Sequence, residues 1–310
     1  MAVWWHQICY VIIYVAATIT NKYVLSVLNF TYPTLFQGWQ TLVGFVITRI
    51  AASLNQIHLS PLDRTSLRNW LPASLLYIIV IYSGSKALSR IPVAAFVVQH
   101  NTIEILVFLG EWLYTGRLPS YLNQSGLLLI IASAVGVWIS DPQLSPIGYT
   151  WMLIHVISSS IYTLQTIIRQ PLKEVDQVHF NYLTSVLILI PASFVEGDIS
   201  AMEEYPHWTL YRFQTGCIMS GILGATLMMI HLALKQQSGT ISTNMALTVA
   251  KAFLVVTSVF VFDGVIYTAQ FTFSIVAGLV GHWLVCYTKP QFDPDSAHVP
   301  PEDKEVKELQ

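Results

Sequence analysis

Four ionisable side chains fall inside long apolar runs of this sequence: Lys22, Glu104, Glu111 and Lys251. Lys251 carries the most information. It sits near the middle of residues 240–264, TISTNMALTVAKAFLVVTSVFVFDG, a stretch long enough to cross a bilayer's hydrocarbon core, which takes about twenty helical residues. An ionised lysine at that depth costs about 2.5 kcal/mol or more, so it faces either a water-filled route or an opposite charge. Such a cation suits a phosphate or carboxylate ligand and acts on phosphate as a point charge; the competing assignment is an internal salt bridge. An amine pointing into lipid, or locked in a dry cluster with no vestibule reaching it from either compartment, would overturn the transport reading.

Glu104 and Lys251 each lie about twelve residues into their runs, hence at similar depth at about 1.5 Å rise per residue. They are placed to pair across a cavity and to be separated by a ligand. Asn101, less than a turn before Glu104, adds an amide on nearly the same face. Lys22, in TITNKYV, lies nearer one membrane surface, where snorkelling to the interface competes with ligand binding. Glu111, closer to the end of its run, reads as an interfacial contact. Hydroxyl and amide residues gather in three runs, among them Asn21, Tyr162, Thr243, Asn244 and Thr248. They suit recognition of sugar hydroxyls, although Ser and Thr also serve as ordinary interhelical packing residues.

These residues must be positioned by membrane helices. Of the 310 residues, 54% are hydrophobic and 10% charged, with mean hydropathy +0.57; a soluble domain carries about 25% charged residues. The chain therefore reads as an all-α, multi-pass membrane protein. Net charge is -2, which points away from nucleic acid as a partner. Cys9, Cys217 and Cys286 lie inside apolar runs without paired metal spacing, and the histidines, His155 and His282 included, show no metal-ligand pattern and read as interfacial or core residues. No metal and no cofactor are implied. The N-terminus lacks a basic region and a small-residue cleavage site, so it reads as a retained first helix.

Apolar runs and their breaks predict ten transmembrane helices at about 7–28, 33–54, 69–86, 91–114, 121–139, 147–168, 178–195, 209–234, 240–262 and 269–287. Counting Lys and Arg on alternate sides places both termini in the cytosol and the acidic loop 196–208 on the opposite side. One ten-helix domain over 1–289 is expected, with a disordered, Pro-rich cytosolic tail at 290–310. The halves, about 1–140 and 141–289, echo one another: a shift of 147 residues puts Glu104 on Lys251, and a shift of 145 puts Gly136-Val137-Trp138 on Gly281-His282-Trp283. Five helices per half make the second half insert upside down, an inverted-repeat design used by transporters. Asn29-Phe30-Thr31 hugs the membrane and Asn123-Gln124-Ser125 falls on the cytosolic side, so neither sequon reads as a glycan acceptor. No carboxylate pair or histidine motif suits a membrane-embedded transferase, so the chain reads as a non-enzyme. A carrier of another phosphorylated or organic anion stays open, as does a non-transporting scaffold.

The run TNKYVLSVLNFTYPTLFQGWQTL, with WLPASLLYIIVIYSGSKALSRIPV, HNTIE, DQVHFNYLTSVLILIP, YRFQTGCIMSGILGATLMM and AKAFLV, resembles nucleotide-sugar transporters of solute carrier family 35, in the drug/metabolite transporter superfamily. The likeness covers the chain to about Thr288. It implies ten helices in two inverted five-helix repeats, a multi-pass location in the Golgi or endoplasmic reticulum membrane, and exchange of a cytosolic nucleotide sugar for a lumenal nucleoside monophosphate. In GDP-mannose members the ninth helix holds Gly-Ala-Leu-Asn-Lys; here Leu247-Thr248-Val249-Ala250-Lys251 keeps only the lysine. Their seventh helix has Phe-Tyr-Asn-Asn for guanine; the stretch read as equivalent, Tyr182-Leu183-Thr184-Ser185, keeps no asparagine. Both departures favour a UDP-sugar, with UDP-N-acetylglucosamine as the lead. On this reading Lys251 neutralises the diphosphate, Glu104 and Asn101 bind the sugar or hold Lys251 in the empty state, and Tyr182 and Thr184 contact the base. Membrane lipid surrounds the chain, and homodimerisation stays open.

Overall fold

A computed structural model describes residues 2–61, 64–169 and 172–288; the tail expected at 290–310 lies outside the described residues. Helix α1 (Ala2–Lys22) runs into a π-helical turn (Tyr23–Val27), followed by α2 (Pro33–Ser53), α3 (Arg64–Arg90), α4 (Val93–Asn101) and α5 (Ile103–Thr115). Then come α6 (Tyr121–Ser140), α7 (Pro146–Arg169), α8 (Glu174–Val195), the short α9 (Asp198–Glu203), α10 (Tyr211–Val261) and α11 (Ala269–Thr288). Eight candidate spans among the described residues are long and apolar enough to cross a membrane. Helices are what lipid demands, since they satisfy backbone groups that find no water there.

Local chemistry sets the ends. Pro33 and Pro146 open their helices, where a missing N–H is no loss. The Ser120 hydroxyl accepts from the Asn123 N–H at 3.3 Å to cap α6. Gly116, at φ 67°, closes α5. Helix α3 begins five residues before the expected start of its run, so Pro72 lies inside the helix rather than in its first turn. Helices α4 and α5 form one crossing interrupted at Thr102, where the bonds from Thr102 N–H to Gln99 O and from Ile105 N–H to Thr102 O, both 3.1 Å, span three residues instead of four.

Helix α10 spans 51 residues, and a straight helix of that length would measure about 76 Å, more than twice the hydrocarbon core. It turns back on itself at Gly239, the one interior residue with non-helical dihedrals (φ 77°, ψ 172°). Contacts with α1 show the reversal. Val24 meets Gly216 before the turn, Gln7 bonds Ser242 after it, and Tyr10 packs with both Leu234 and Ala246. The first half of α10 is thus antiparallel to α1 and the second half parallel to it, as the expected break between residues 234 and 240 requires.

Small residues let the remaining helices approach. A Cβ on Gly126 of α6 would lie 2.9 Å from the Gly281 carbonyl oxygen of α11, so this antiparallel pair meets backbone to backbone. Helix α2 runs antiparallel to α8, with Thr48 against His179 and Gly44 against the Tyr182 ring. Large apolar side chains face outward, such as Val195 (88% exposed) and Phe260 (81%), while Ser83, Asn101, Asn181, Ser220 and Lys251 are buried. This polarity suits lipid outside and a polar interior. The acidic loop carries α9 and folds over one end of the bundle, where Phe30, Phe36, Tyr205 and Phe213 form an aromatic cluster.

Candidate substrate site

Lys251 lies about 18 Å along the helix that starts at Gly239, near mid-membrane depth. Only 2% of it is exposed. Its ammonium donates to Asn101 Oδ1 at 2.8 Å and to His282 Nε2 at 3.0 Å. An imidazole that accepts at Nε2 carries its proton on Nδ1, and that nitrogen sits 2.8 Å from Thr248 Oγ1, which itself donates to the Asn244 carbonyl at 3.0 Å. Asn101 Nδ2 donates to the Gly278 carbonyl at 3.2 Å. Asn101, Lys251, His282 and Thr248 thus form one directed chain of hydrogen bonds across α4, α10 and α11.

Against the expectation of a water-filled route beside Lys251, this conformation buries the side chain. The amine is enclosed, with two of its three donors on an amide oxygen and a neutral imidazole. Glu104 opens α5, half-buried, just beyond the Thr102 interruption. Thr243 donates back to the Gly239 carbonyl at 2.9 Å, so its hydroxyl secures the turn. Asn244 contributes its backbone carbonyl to the lysine chain.

A cavity of about 260 Å³ occupies the centre of the bundle, among α1, α2, α3, α4, α7, α8 and α10. Asn21, Gln37, Gln40, Ser85, His155 and Tyr182 reach its wall. Among the described residues its lining carries amides, hydroxyls and rings but no carboxylate and no cation, which suits hydroxyl-rich or heteroaromatic groups. Gln37 donates to Ser85 Oγ, and Gln40 donates to Asn21 Oδ1 at 2.9 Å and to Ser220 Oγ, so the amides are held in place. His155 meets His100 at 3.1 Å, linking the wall to the residue beside Asn101.

Tyr182 lines the cavity as expected, and Thr184 is buried two residues along α8. Tyr162 does not line it; its hydroxyl accepts from Asn181 Nδ2 at 2.8 Å. Asn181 Oδ1 in turn accepts from Trp70 Nε1 (3.1 Å) and Ser74 Oγ (3.0 Å). The stretch read as lacking asparagine, Tyr182 to Ser185, begins one residue after this buried hub. Lys22 lies apart from these groups, 8% exposed, at the far end of α1. Four predicted residues therefore fall around the lysine chain, Tyr182 at the central cavity, and Lys22 elsewhere. His282, Asn181 and Gln37 were missed as site residues, being neutral polar residues in apolar runs.

No family model matches the chain. A UDP-N-acetylglucosamine transporter TMEM241 homolog from Xenopus laevis is 35% identical over 278 residues, covering 89% of this chain and 94% of the relative. The UDP-N-acetylglucosamine transporter TMEM241 of Mus musculus is 39% identical over 224 residues, 72% of this chain and 75% of the relative. A GDP-mannose transporter of Scheffersomyces stipitis is 30% identical over 199 residues, 59% of this chain and 60% of the relative. A solved crystal structure of a protein matches 92% of this chain and 97% of its own with TM-score 0.59 at 13% identity, a likeness of fold alone. The resemblance read from the sequence motifs is thereby borne out, and with it a transporter rather than an enzyme. The chain belongs to the solute carrier family 35 type nucleotide-sugar transporters, the family of its TMEM241 relatives.

Proposed function

We propose that this protein exchanges a cytosolic UDP-sugar, with UDP-N-acetylglucosamine as the lead, for lumenal nucleoside monophosphate across the Golgi or endoplasmic reticulum membrane, both termini cytosolic. The observation that carries the reading is the 35% identity over 89% of the chain to a protein described as a UDP-N-acetylglucosamine transporter. The uncharged central cavity supports it, since base and sugar need hydrogen bonds and ring faces rather than counter-charges. Lys251 neutralises the diphosphate once α4 and α10 part, with Asn101 and Glu104 at the same depth holding the sugar or taking the lysine back in the empty state.

The architecture in this reading is two inverted repeats of five crossings. The first comprises α1, α2, α3, α4 with α5, and α6; the second comprises α7, α8, the two halves of α10, and α11. Packing supports the exchange of halves. Swapping them maps the α3–α7 contact onto that of α10 with α1, and α3–α8 onto α10–α2, while α2–α8 and α6–α11 map onto themselves. Such repeats alternate access by rocking around a shared site.

Counterflow with purified protein tests the function. Vesicles loaded with UMP, GMP, CMP or AMP should take up labelled UDP-N-acetylglucosamine only when UMP is inside. Uptake driven equally by all four, or by none, would refute the assignment. Lys251→Ala should lower exchange at least about a hundredfold, the scale of losing a charge-assisted contact worth about 3 kcal/mol; full uptake by that variant would remove Lys251 from the site.

A further inference from the structure

A second polar cavity, of about 390 Å³, lies at the bundle face opposite the start of α1, where the π-turn after α1 meets the ends of α3 and α10. Its wall includes Lys22, Arg90, Ser26, Ser89 and Asp263. Lys22 is fixed there by a defect in the backbone. The Leu88 carbonyl would accept from the N–H four residues on, but that residue is Pro92, which has none. The Lys22 ammonium replaces it, donating to Leu88 O at 2.7 Å and to Ile91 O at 3.0 Å. Among the described residues these two bonds use two of the ammonium's three donors. Arg90 is held beside it by bonds from Nη1 to Lys86 O (3.1 Å) and Ser89 Oγ (3.0 Å), leaving the rest of its guanidinium for a ligand. Two cations against one carboxylate leave the wall with one positive charge in excess, and Tyr23 and Phe262 add ring faces.

We propose that this vestibule docks a phosphate monoester, the charged end of a nucleoside monophosphate, on its way into the exchanger; the assignment of that ligand rests on the exchange reading above. A phosphate monoester carries about -1.5 to -2 charge at neutral pH, which matches a buried lysine point charge beside an arginine fork. Among the described residues the central cavity has no cation in its wall to do this. The volume also favours the vestibule, since ligand sites run from about 300 Å³ upward and the central cavity is smaller in this conformation.

The test places a reporter in the wall. Ser26→Cys is made in the full chain, reconstituted in phosphatidylcholine vesicles, and labelled with a membrane-impermeant maleimide; the parent protein, with Cys9, Cys217 and Cys286, gives the background. UMP at ten times its half-saturating concentration should slow labelling about elevenfold by occupancy alone, and inorganic phosphate should also protect. Adding Arg90→Gln, at an exposed position, should abolish protection, and Lys22→Arg should retain it. Counterflow measured on the unmodified protein separates the two claims. Normal counterflow with no protection by UMP or phosphate overturns the vestibule and leaves the exchange reading standing. Protection without counterflow sinks the exchange reading and keeps the anion site. Protection by phosphatidic acid in the vesicles but not by UMP assigns the wall to a lipid headgroup and overturns the proposal.

Discussion

Lys22 and Lys251 are both buried cations, and they are satisfied in different ways. Lys251 is held by two side chains that can turn away, Asn101 and His282, whereas Lys22 is held by two backbone carbonyls that cannot. Replacing Lys22 with Met should therefore damage the fold as well as any anion binding. Hydrogen bonds from a charged donor contribute about 1.5–3 kcal/mol, and losing them should appear as a lowered thermal midpoint in detergent, with Lys22→Arg intermediate; an unchanged midpoint for Lys22→Met would show that the α3 end does not depend on this cap. Both lysines were legible in the sequence because charge inside an apolar run is conspicuous. His282 and Asn181 were not, because a single neutral polar residue in a span is usually packing. A signal for His282 did exist: it is the odd residue in the echo of Gly136-Val137-Trp138 by Gly281-His282-Trp283.

At the scale of elements, hydropathy and prolines anticipated the long apolar helices, eight of which among the described residues are long and apolar enough to cross a membrane, since length and polarity are what the bilayer selects. They did not reveal α9, because a short helix lying over one end of the bundle needs no apolar run; its loop read only as acidic. Nor did they show that the stretches expected as crossings at 209–234 and 240–262 meet at a single residue within α10. Gly239 makes that junction possible. Its dihedrals fall in a region open essentially to glycine alone, where another residue costs about 1–3 kcal/mol. Gly239→Ala should lower the thermal midpoint and reduce exchange together, while Gly224→Ala, in open space within the first half of α10, should leave the midpoint within error. Equal midpoints for Gly239→Ala and the parent would show that the turn relaxes without strain.

For the whole molecule, the proposed exchange requires the cavity of about 260 Å³ to expand before a nucleotide sugar fits, and Lys251 to be released from its enclosure. Contacts between α2 and α8 resist that expansion at the end where α1 begins, among them Thr48 Oγ1 to His179 Nδ1 at 3.0 Å. Thr48→Cys with His179→Cys, bridged by a short reducible cross-linker, should stop counterflow, and reductant should restore it. Exchange that survives quantitative cross-linking would mean that these helices do not separate during the cycle.

The reversal at Gly239 has a mechanical consequence. The limb before it carries Gly224 and Ala225 into the central cavity, and the limb after it carries Lys251. With a single residue for a hinge and no slack between them, a guest that pushes on one limb levers the other. In the exchange proposed above, occupancy at the centre of the bundle should therefore reach the buried ammonium through bone rather than through tissue.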